Sequence, residues 1–343
     1  MRAAVFHGPR DVRIEQVPDP SAPGDGEVVL EVLRAAICGT DSSEWDHGPV
    51  LCRPGVVLGH EFVGRVVDAG PGASLRVGDR VVSGAGISCG HCRWCLAGRT
   101  NLCAEYRTLG LQVDGGLAEL VTSPAAICRP VPEACHDDAA AMAQPFAVAL
   151  HALARVGLGE TDAVAIVGCG GIGAFIVAGA AHRAARGRVV ALDLEAGRLA
   201  TAAALGAHET VDATGRDLAE LLLELTDGVG FDVVIEATGA PHAPGASIAG
   251  TRRGGRTLLV GLHGAPRELA LTPMILREVD VVTTVAHVCD TDLPQALDLL
   301  AAGDIATIVA GPRIGLDALV EDGLRPLAER RATGKIVVDP TAS

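Results

Sequence analysis

Residues 163–175 read AVAIVGCGGIGAF and decide the fold of the second half of the chain. An apolar run at 164–167 leads directly into Gly168, Gly170 and Gly173, which have G-x-G-x-x-G spacing. The first glycine permits a tight turn, the second lets the backbone approach a pyrophosphate, and the third lets helix and strand pack closely. The segment therefore predicts a buried strand followed by a helix whose N-terminus faces the phosphates of a dinucleotide.

A carboxylate ends the next apolar run. Asp193 closes the segment VVALD, 20 residues beyond Gly173. A carboxylate at this point accepts hydrogen bonds from the adenosine ribose and repels a 2′-phosphate, so NAD is expected rather than NADP. Arg198 could assist in binding a phosphate, which would favour NADP instead. The alternative to a nucleotide site is an ordinary strand–helix turn beside a solvated aspartate. The expected cofactor-binding residues are Gly168, Gly170, Gly171, Ile172, Gly173, Asp193 and Arg198.

Strand and helix patterns alternate through the middle of the chain. Short apolar runs at 188–192, 233–236 and 257–260 are separated by helical segments, and one helix is expected at 171–185. Strands that alternate with helices favour a parallel, doubly wound sheet. We therefore predict an α/β fold with a Rossmann dinucleotide-binding domain over residues 146–285.

The N-terminal part has a different pattern. Residues 27–33, 61–68 and 79–82 are short, rich in β-branched side chains and bounded by Gly, Pro and Asp, which is typical of strands. These segments predict a β-rich domain over residues 1–145.

An Ala-rich stretch at 137–156, DDAAAMAQPFAVALHALARV, predicts one long helix at the domain boundary, with Pro145 inside it. The chain ends in GKIVVDP, which reads as a terminal strand whose natural partner is a β-rich domain. Residues 286–343 are therefore expected to return to the first domain.

Four cysteines lie within the segment CGHCRWCLAGRTNLC at 89–103. Four thiolates at these spacings can close tetrahedrally around one zinc ion and leave no open position, which is typical of a structural site. The lobe at 88–104 is therefore expected to hold a structural zinc through Cys89, Cys92, Cys95 and Cys103. The other cysteines are scattered, which suits free thiols in a reducing compartment rather than a disulfide framework.

The composition excludes several classes of protein. The 343 residues carry a net charge of −14 without a basic cluster, which argues against nucleic acid as a partner. No apolar run is long enough for a membrane span and the first residues lack a signal-peptide pattern, so a cytoplasmic protein is expected. Lys335 and Tyr106 are the single lysine and tyrosine, which argues against a Tyr-x-x-x-Lys pair or a Schiff base.

A second set of metal-binding side chains lies outside the cysteine lobe. Cys38 stands in ICGTD, and His60 and Glu61 stand in LGHEF. A thiolate, an imidazole and a carboxylate suit zinc with at least one position left for water or substrate. None of the three is diagnostic alone, but their combination with the cysteine lobe and the nucleotide motif predicts a catalytic zinc.

With these motifs in order, the chain resembles the zinc-dependent medium-chain alcohol dehydrogenase family over nearly its whole length. The motifs that carry the resemblance are ICGTD, GHEFVGRV, VGDRV, the cysteine lobe, GGLAE, QPFAVALHA, VGCGGIG and GKIVV. In detail it looks similar to the branch of sorbitol, 2,3-butanediol and threonine dehydrogenases. The resemblance implies that the β-rich domain is a GroES-like catalytic domain, split by the dinucleotide-binding domain.

The resemblance also implies a mechanism. Cys38 and His60 would bind the catalytic zinc, Glu61 would be a direct or water-exchanging ligand, and Thr40 would hydrogen-bond the substrate alcohol and start the proton relay. Zinc would lower the pKa of the alcohol, and hydride would pass to the nicotinamide. We expect an NAD-dependent enzyme with two zinc ions per subunit, a small alcohol or ketone substrate, and a homo-oligomer, either dimer or tetramer.

Two positions depart from the family pattern. Gln144 stands where relatives usually carry glutamate, so it could bind zinc weakly or orient a water or a substrate hydroxyl. Ser43 stands where relatives often carry a histidine, so the proton relay could pass through Ser43 and the cofactor ribose, or through His47. Thr40, Ser43 and Gln144 are polar, which favours a substrate with neighbouring hydroxyls: a polyol, a diol or an amino-cyclitol-like alcohol.

Two other functions remain as alternatives. The chain could be a zinc-poor medium-chain reductase that acts on an activated C=C bond, although its full set of metal-binding residues argues against this. It could also be a nucleotide-binding relative without catalytic activity. The number of zinc ions per subunit and an alcohol panel would separate the three functions.

Overall fold

The computed structural model describes residues 1–342, which form two compact units. One unit comprises residues 1–147 together with the segment from His287 onward, and the other comprises Val148–Ala286. No helix within residues 1–342 is both long enough and apolar enough to cross a membrane.

The first unit begins with a largely β segment. Its strands are β1 (Arg2–Gly8), β2 (Asp11–Gln16), β3 (Glu27–Ala36), β4 (Glu61–Ala69), β5 (Arg80–Ser83), β6 (Gly86–Ile87), β7 (Arg107–Thr108), β8 (Leu120–Pro124) and β9 (Cys128–Pro130). Its helices are α1 (Gly39–His47), α2 (Arg93–Leu96) and α3 (Asp137–Ala140), and α4 (Ala143–Val156) runs into the second unit.

The second unit alternates strand and helix. In chain order it contains β10 (Ala163–Val167), α5 (Gly171–Arg183), β11 (Arg188–Asp193), α6 (Ala196–Ala204), β12 (Glu209–Asp212), α7 (Leu218–Glu224), β13 (Phe231–Glu236), α8 (Ala243–Ala249), β14 (Thr251–Leu259), α9 (Leu271–Leu276) and β15 (Asp280–Thr283). The strands form one parallel sheet in the order β12-β11-β10-β13-β14-β15. The predicted doubly wound α/β fold is confirmed.

The chain then returns to the first unit. The last elements are α10 (Cys289–Ala302), α11 (Ile305–Val309), β16 (Ala310–Gly315), α12 (Arg325–Ala328) and β17 (Lys335–Asp339). The terminal strand β17 pairs antiparallel with β3, and the resulting seven-stranded sheet runs β16-β17-β3-β4-β5-β9, with β8 also paired to β3.

Alternating burial explains how this sheet forms its core. Val28, Leu30 and Val32, which lie on one face of β3, are fully buried in the core, whereas Glu31 on the other face is exposed. Ile336 and Val338 of β17 enter the same apolar cluster. Burial of these side chains therefore fixes the register of the terminal strand beside β3.

One predicted helix was wrong in its extent. The stretch at 137–156 forms two helices, α3 and α4, with a break at Ala141 and Met142. The ring of a proline collides with the carbonyl group four residues earlier in a continuous helix, and for Pro145 that residue is Ala141. As the third residue of α4, Pro145 occupies the first turn, where its missing N–H costs nothing.

Candidate functional site

The N-terminus of α1 presents a cysteine and a threonine. Cys38 is the N-cap residue, and the Asp41 side chain reaches back so that its Oδ2 accepts a hydrogen bond from the Cys38 backbone N–H at 2.9 Å. This reciprocal arrangement is a capping box, which fixes the start of the helix. The Cys38 thiol donates to the hydroxyl oxygen of Thr40, with 3.7 Å between Sγ and Oγ1. Cys38 and Thr40 therefore share one rigid helix start.

Strand pairing brings a second segment to this helix start. Glu61 is the first residue of β4 and lies opposite Ala36 of β3, two residues before Cys38. His60 is 6% exposed and Glu61 is 1% exposed. One ligand atom from each of Cys38, His60 and Glu61 lies within 4.8 Å of the others. The structure thus brings together the three residues that the sequence predicts as ligands of a catalytic metal.

The buried carboxylate of Asp41 faces the imidazole. Its Oδ1 lies 3.5 Å from the Nδ1 of His60, and Asp41 is fully buried. Burial disfavours a charged imidazole, but the Asp41 carboxylate and the Cys38 thiolate outweigh it and raise the pKa of His60 well above its usual value. With Nδ1 turned toward Asp41, Nε2 is the nitrogen that remains available to a metal.

A buried lysine completes the charge arrangement. Lys335, the first residue of β17, places its Nζ 2.5 Å from the Oε2 of Glu61. Burial opposes a charged ammonium, but Glu61 and Cys38 together raise the pKa of Lys335 above its usual value. Three acidic side chains, those of Cys38, Asp41 and Glu61, thus face two basic ones, those of Lys335 and His60.

The donor set of this cluster fits zinc. Thiolate sulfur, imidazole nitrogen and carboxylate oxygen are all zinc ligands, and three protein ligands leave a position open, as in catalytic sites. Buried charges in proteins are paired or coordinate metals. A divalent cation bound to Cys38, His60 and Glu61 would meet this condition for the buried acidic side chains of the cluster.

The cysteine lobe also has the geometry of a metal site. The Sγ of Cys95 lies 4.0 Å from that of Cys89 and 3.5 Å from that of Cys92. With the Sγ of Cys103, the four sulfur atoms all lie within 4.8 Å of one another. Backbone N–H groups of Cys89 and Glu105 donate to the Cys103 sulfur at 3.2 and 3.3 Å. Four such thiols fit a closed tetrahedral zinc site.

The thiols of the lobe differ in their pKa: that of Cys92 is lowered, whereas that of Cys89 is raised and burial raises that of Cys95 to about 11. Backbone N–H groups of Cys95 and Ala104 are the main cause that lowers the pKa of Cys92 to about 6. The thiolate is the form that binds a metal, so at least one ligand of this lobe is deprotonated at neutral pH.

Three other residues that the sequence predicts to act in the reaction, Ser43, His47 and Gln144, make no hydrogen bond or ion pair with Cys38, His60 or Glu61 within residues 1–342. Ser43 is exposed on α1, and His47, its last residue, is exposed with its Nδ1 3.4 Å from the Asp46 carboxylate. Gln144 is buried as the second residue of α4.

The glycine turn has the features of a phosphate-binding turn. Gly168 follows β10 at φ 93°, a region that favours glycine, and Gly170 is the N-cap residue of α5. A Cβ on Gly173 would overlap the carbonyl oxygen of Gly168, so only glycine lets the helix pack this closely. Gly171 and Ile172 form the first turn of α5. The turn and the helix N-terminus therefore fit a pyrophosphate.

Asp193 is tied to this turn. Its Oδ2 accepts a hydrogen bond from the Cys169 N–H at 2.7 Å, and its Oδ1 accepts from Leu194 at 2.7 Å. Arg198 lies 3.7 Å from Asp193 and 3.0 Å from the Glu195 carboxylate. The guanidinium of Arg198 is thus already balanced by acidic side chains beside the turn.

Two sequence families match the two parts of the chain. The family described as "Alcohol dehydrogenase GroES-like domain" matches residues 24–133, and the family described as "Zinc-binding dehydrogenase" matches residues 171–302. Sorbitol dehydrogenase of Bacillus subtilis (strain 168) is 32% identical over 313 residues, which cover 90% of this chain and 88% of that protein. The chain belongs to the zinc-containing medium-chain alcohol dehydrogenase family. It is therefore an NAD-dependent oxidoreductase of that family, as the resemblance predicted.

Solved structures of family members agree with this assignment. The 2R,3R-butanediol dehydrogenase from Bacillus subtilis superimposes with a TM-score of 0.89, covers 99% of both chains and is 30% identical. A short chain alcohol dehydrogenase from Escherichia coli CFT073, solved in complex with NADH, gives a TM-score of 0.91 at 26% identity, again over 99% of both chains. The expected GroES-like and Rossmann folds are confirmed.

Two residues of this zinc-dehydrogenase site were missed as functional by sequence reasoning. The sequence motifs assign no role to Asp41, although it contacts both Cys38 and His60. Lys335 was noted only because the chain has a single lysine, although it pairs with Glu61. That single lysine on a terminal strand was the available signal, since an isolated charge in an apolar strand requires a partner.

Proposed function

We propose that this enzyme interconverts a secondary alcohol and a ketone with NAD, and that the alcohol carries a neighbouring hydroxyl group. Polyols, diols and amino-cyclitol-like alcohols belong to this class. The observation that carries the proposal is the buried cluster of Cys38, His60 and Glu61, held by Asp41 and Lys335. Relatives named for sorbitol and 2R,3R-butanediol support a substrate with adjacent hydroxyls.

Two zinc ions per subunit are part of the proposal. Cys38, His60 and Glu61 would hold the catalytic ion, and Cys89, Cys92, Cys95 and Cys103 would hold the structural ion. When bound, the catalytic zinc supplies a Lewis acid that polarises the alcohol or ketone oxygen.

Thr40 is proposed to take the proton that the substrate hydroxyl gives up. Its hydroxyl oxygen accepts a hydrogen bond from the Cys38 thiol, which places Thr40 beside the metal-binding cluster with its own O–H free to bond the substrate. Ser43 and His47 on the same helix are exposed, which suits groups that pass the proton to solvent. Gln144 carries both an acceptor and a donor, so its amide could orient the neighbouring hydroxyl of the substrate.

NAD is proposed to bind the second unit. The glycine turn would hold the pyrophosphate, and Asp193 would accept hydrogen bonds from the adenosine ribose. A relative solved with NADH supports this cofactor. The guanidinium of Arg198 is paired with Asp193 and Glu195, so it is less available to bind a 2′-phosphate.

A homo-oligomer is also proposed. β15 is an edge strand of the six-stranded sheet, and three of its four residues are exposed. None of the six residues of the neighbouring α9, LTPMIL, is buried, and Ile275 is 66% exposed. Exposed edge strands and apolar patches of this kind are typical of interfaces, so a second copy is the proposed partner.

A substrate panel tests the proposed reaction. The wild-type enzyme would be assayed with NAD at mildly alkaline pH against diols, sugar alcohols, amino-alcohols and matched simple alkanols, with NADH absorbance as the readout. We expect turnover to be highest with a secondary alcohol that has an adjacent hydroxyl. Higher turnover with simple alkanols would contradict the proposed substrate class. Absence of NADH formation with the whole panel, despite bound zinc and NAD, would contradict the proposed reaction.

A further inference from the structure

Glu236 and His263 follow the carboxyl ends of two neighbouring strands of the second unit. Glu236 is the last residue of β13 and is fully buried, and His263 lies in the loop after β14. The Nε2 of His263 is 3.4 Å from the Oε2 of Glu236. Both ring nitrogens of His263 are buried, and neither makes a hydrogen bond with residues 1–342. The imidazole thus has Glu236 as a charged neighbour at Nε2 but no partner at Nδ1 within the described residues, although buried polar atoms are normally satisfied.

Glu236 is held rigidly where the two loops meet. Its Oε1 accepts hydrogen bonds from the N–H of Thr238 at 2.7 Å, from the hydroxyl of Thr238 at 2.5 Å and from the N–H of Gly239 at 2.9 Å. Its backbone carbonyl accepts from the N–H of Val260 at 2.8 Å. A Cβ on Gly261 would lie 2.6 Å from the other carboxylate oxygen. The carboxylate therefore has a fixed place beneath the His263 loop.

This pair adjoins the glycine turn on the side away from Asp193. Thr238 packs on Gly168 so closely that a Cβ there would lie 2.6 Å from the threonine methyl group. In the sheet, β13 and β14 lie on one side of β10, whereas β11, which ends in Asp193, lies on the other. A dinucleotide binds across the point where the strand order reverses, with one half on each side. The nicotinamide half therefore belongs beside β13 and β14.

The same edge of the sheet carries further buried polar atoms without partners. Within residues 1–342, the Nε of Arg267 after β14 and the hydroxyl of Thr284 after β15 make no hydrogen bond. Buried polar atoms in native proteins are satisfied by protein, water or ligand. Like His263, both residues follow the carboxyl ends of β14 and β15 in the sequence, which is the edge where ligands bind in sheets of this kind.

We propose that His263, oriented by Glu236, hydrogen-bonds the nicotinamide half of NAD(H). The inference rests on the proposed function because it takes NAD as the cofactor. A neutral imidazole that gives its Nε2–H to Glu236 presents Nδ1 as an acceptor. The ribose hydroxyls and the carboxamide are the hydrogen-bond donors on that half of the cofactor. His263 is thus a cofactor-binding residue, and Glu236 is a positioning residue.

Binding of a whole cofactor and of its adenine half tests this proposal. The dissociation constant of NADH would be measured by its fluorescence, and that of AMP by competition against NADH. His263→Ala is expected to raise the NADH dissociation constant about tenfold or more, as loss of one well-buried hydrogen bond requires. The AMP dissociation constant is expected to stay unchanged because AMP lacks the nicotinamide half.

Three further variants complete the experiment. His263→Gln keeps a hydrogen-bonding group and is expected to weaken NADH binding less than His263→Ala. Glu236→Gln, combined with His263→Ala, is expected to add little to the effect of the single His263 variant, because both act through one contact. His182→Ala, in the exposed last turn of α5, is the matched control and is expected to bind NADH like the wild type.

Two results would overturn the inference alone: unchanged NADH binding in His263→Ala, or an equal loss of NADH and AMP affinity in both His263 variants, which would indicate a structural role. Failure of the wild-type protein to bind NADH would instead overturn the proposed cofactor, and this inference with it. Unfolding temperatures of all variants accompany the titrations, and His263→Gln decides the question if His263→Ala does not fold.

Discussion

Asp41 and His60 form a buried pair in which the Oδ1 of Asp41 lies 3.5 Å from the Nδ1 of His60. The second oxygen of the same carboxylate accepts the backbone N–H of Cys38 at 2.9 Å. One side chain therefore orients a cysteine and a histidine that come from separate segments of the chain. The pairing also directs the Nε2 of His60 toward the metal-binding cluster, which makes Asp41 a determinant of zinc affinity.

Asp41→Asn is expected to weaken binding of the catalytic zinc about 10- to 100-fold, because an amide cannot hold the imidazole by charge. The measurement is zinc retention during titration with a chelator. Asp46→Asn, on the same helix but paired with Arg10, is the control and is expected to retain zinc like the wild type. Equal retention in both variants would show that Asp41 only caps the helix.

Lys335→Met is expected to destabilise the zinc-free protein more than the zinc-loaded protein. Removal of the ammonium leaves Glu61 as an unpaired buried charge, and breaking such a pair costs about 3–5 kcal/mol. Bound zinc would offset part of that cost by neutralising Glu61. Unfolding temperatures with and without chelator measure the difference, and Lys335→Arg is the charge-preserving control. An equal drop in both forms would argue that the pair is independent of the metal.

Gly173→Ala is expected to weaken NADH binding about tenfold or more, since overpacking by one methyl group costs about 1–3 kcal/mol and displaces the glycine turn. Fluorescence titration with NADH provides the measurement. Gly245→Ala in α8, where a Cβ meets open space, is the control and is expected to bind like the wild type. Unchanged NADH affinity in Gly173→Ala would remove this turn from the cofactor site.

Ile275→Glu on α9 is expected to shift the protein from oligomer to monomer, because a charge would replace an exposed apolar side chain at the proposed interface. Light scattering coupled to size-exclusion chromatography gives the mass of each species. Val229→Glu, at an equally exposed apolar position in the turn after α7, is expected to leave the mass unchanged. A monomeric wild type would contradict the proposed oligomer.

The sequence carried enough local information to predict the strand–turn–helix of the cofactor site. Gly168, Gly170 and Gly173 need only one another's spacing, and Cys38, His60 and Glu61 stand in recognisable short motifs. These features were therefore accessible from short windows of sequence.

The roles of Asp41 and Lys335 could not be predicted from short windows of sequence. Their roles depend on long-range pairing: β4 brings His60 to the start of α1, and β17 docks beside β3 and carries Lys335 to Glu61. The helix break at Ala141 could have been predicted from Pro145. The high helix propensity of the surrounding alanines instead favoured the prediction of one continuous helix. Tertiary contacts, rather than local patterns, decide the roles of Asp41 and Lys335, whereas the helix break has a local cause in Pro145.

The cysteine lobe and the cluster of Cys38, His60 and Glu61 are proposed to hold one structural and one catalytic zinc ion. The zinc content per subunit of the wild-type protein and of Cys38→Ala, determined by elemental analysis of the purified proteins, tests this most directly. Two zinc ions are expected in the wild type and one in Cys38→Ala, which retains the cysteine lobe. One zinc ion in the wild type, or two in Cys38→Ala, would contradict this proposal.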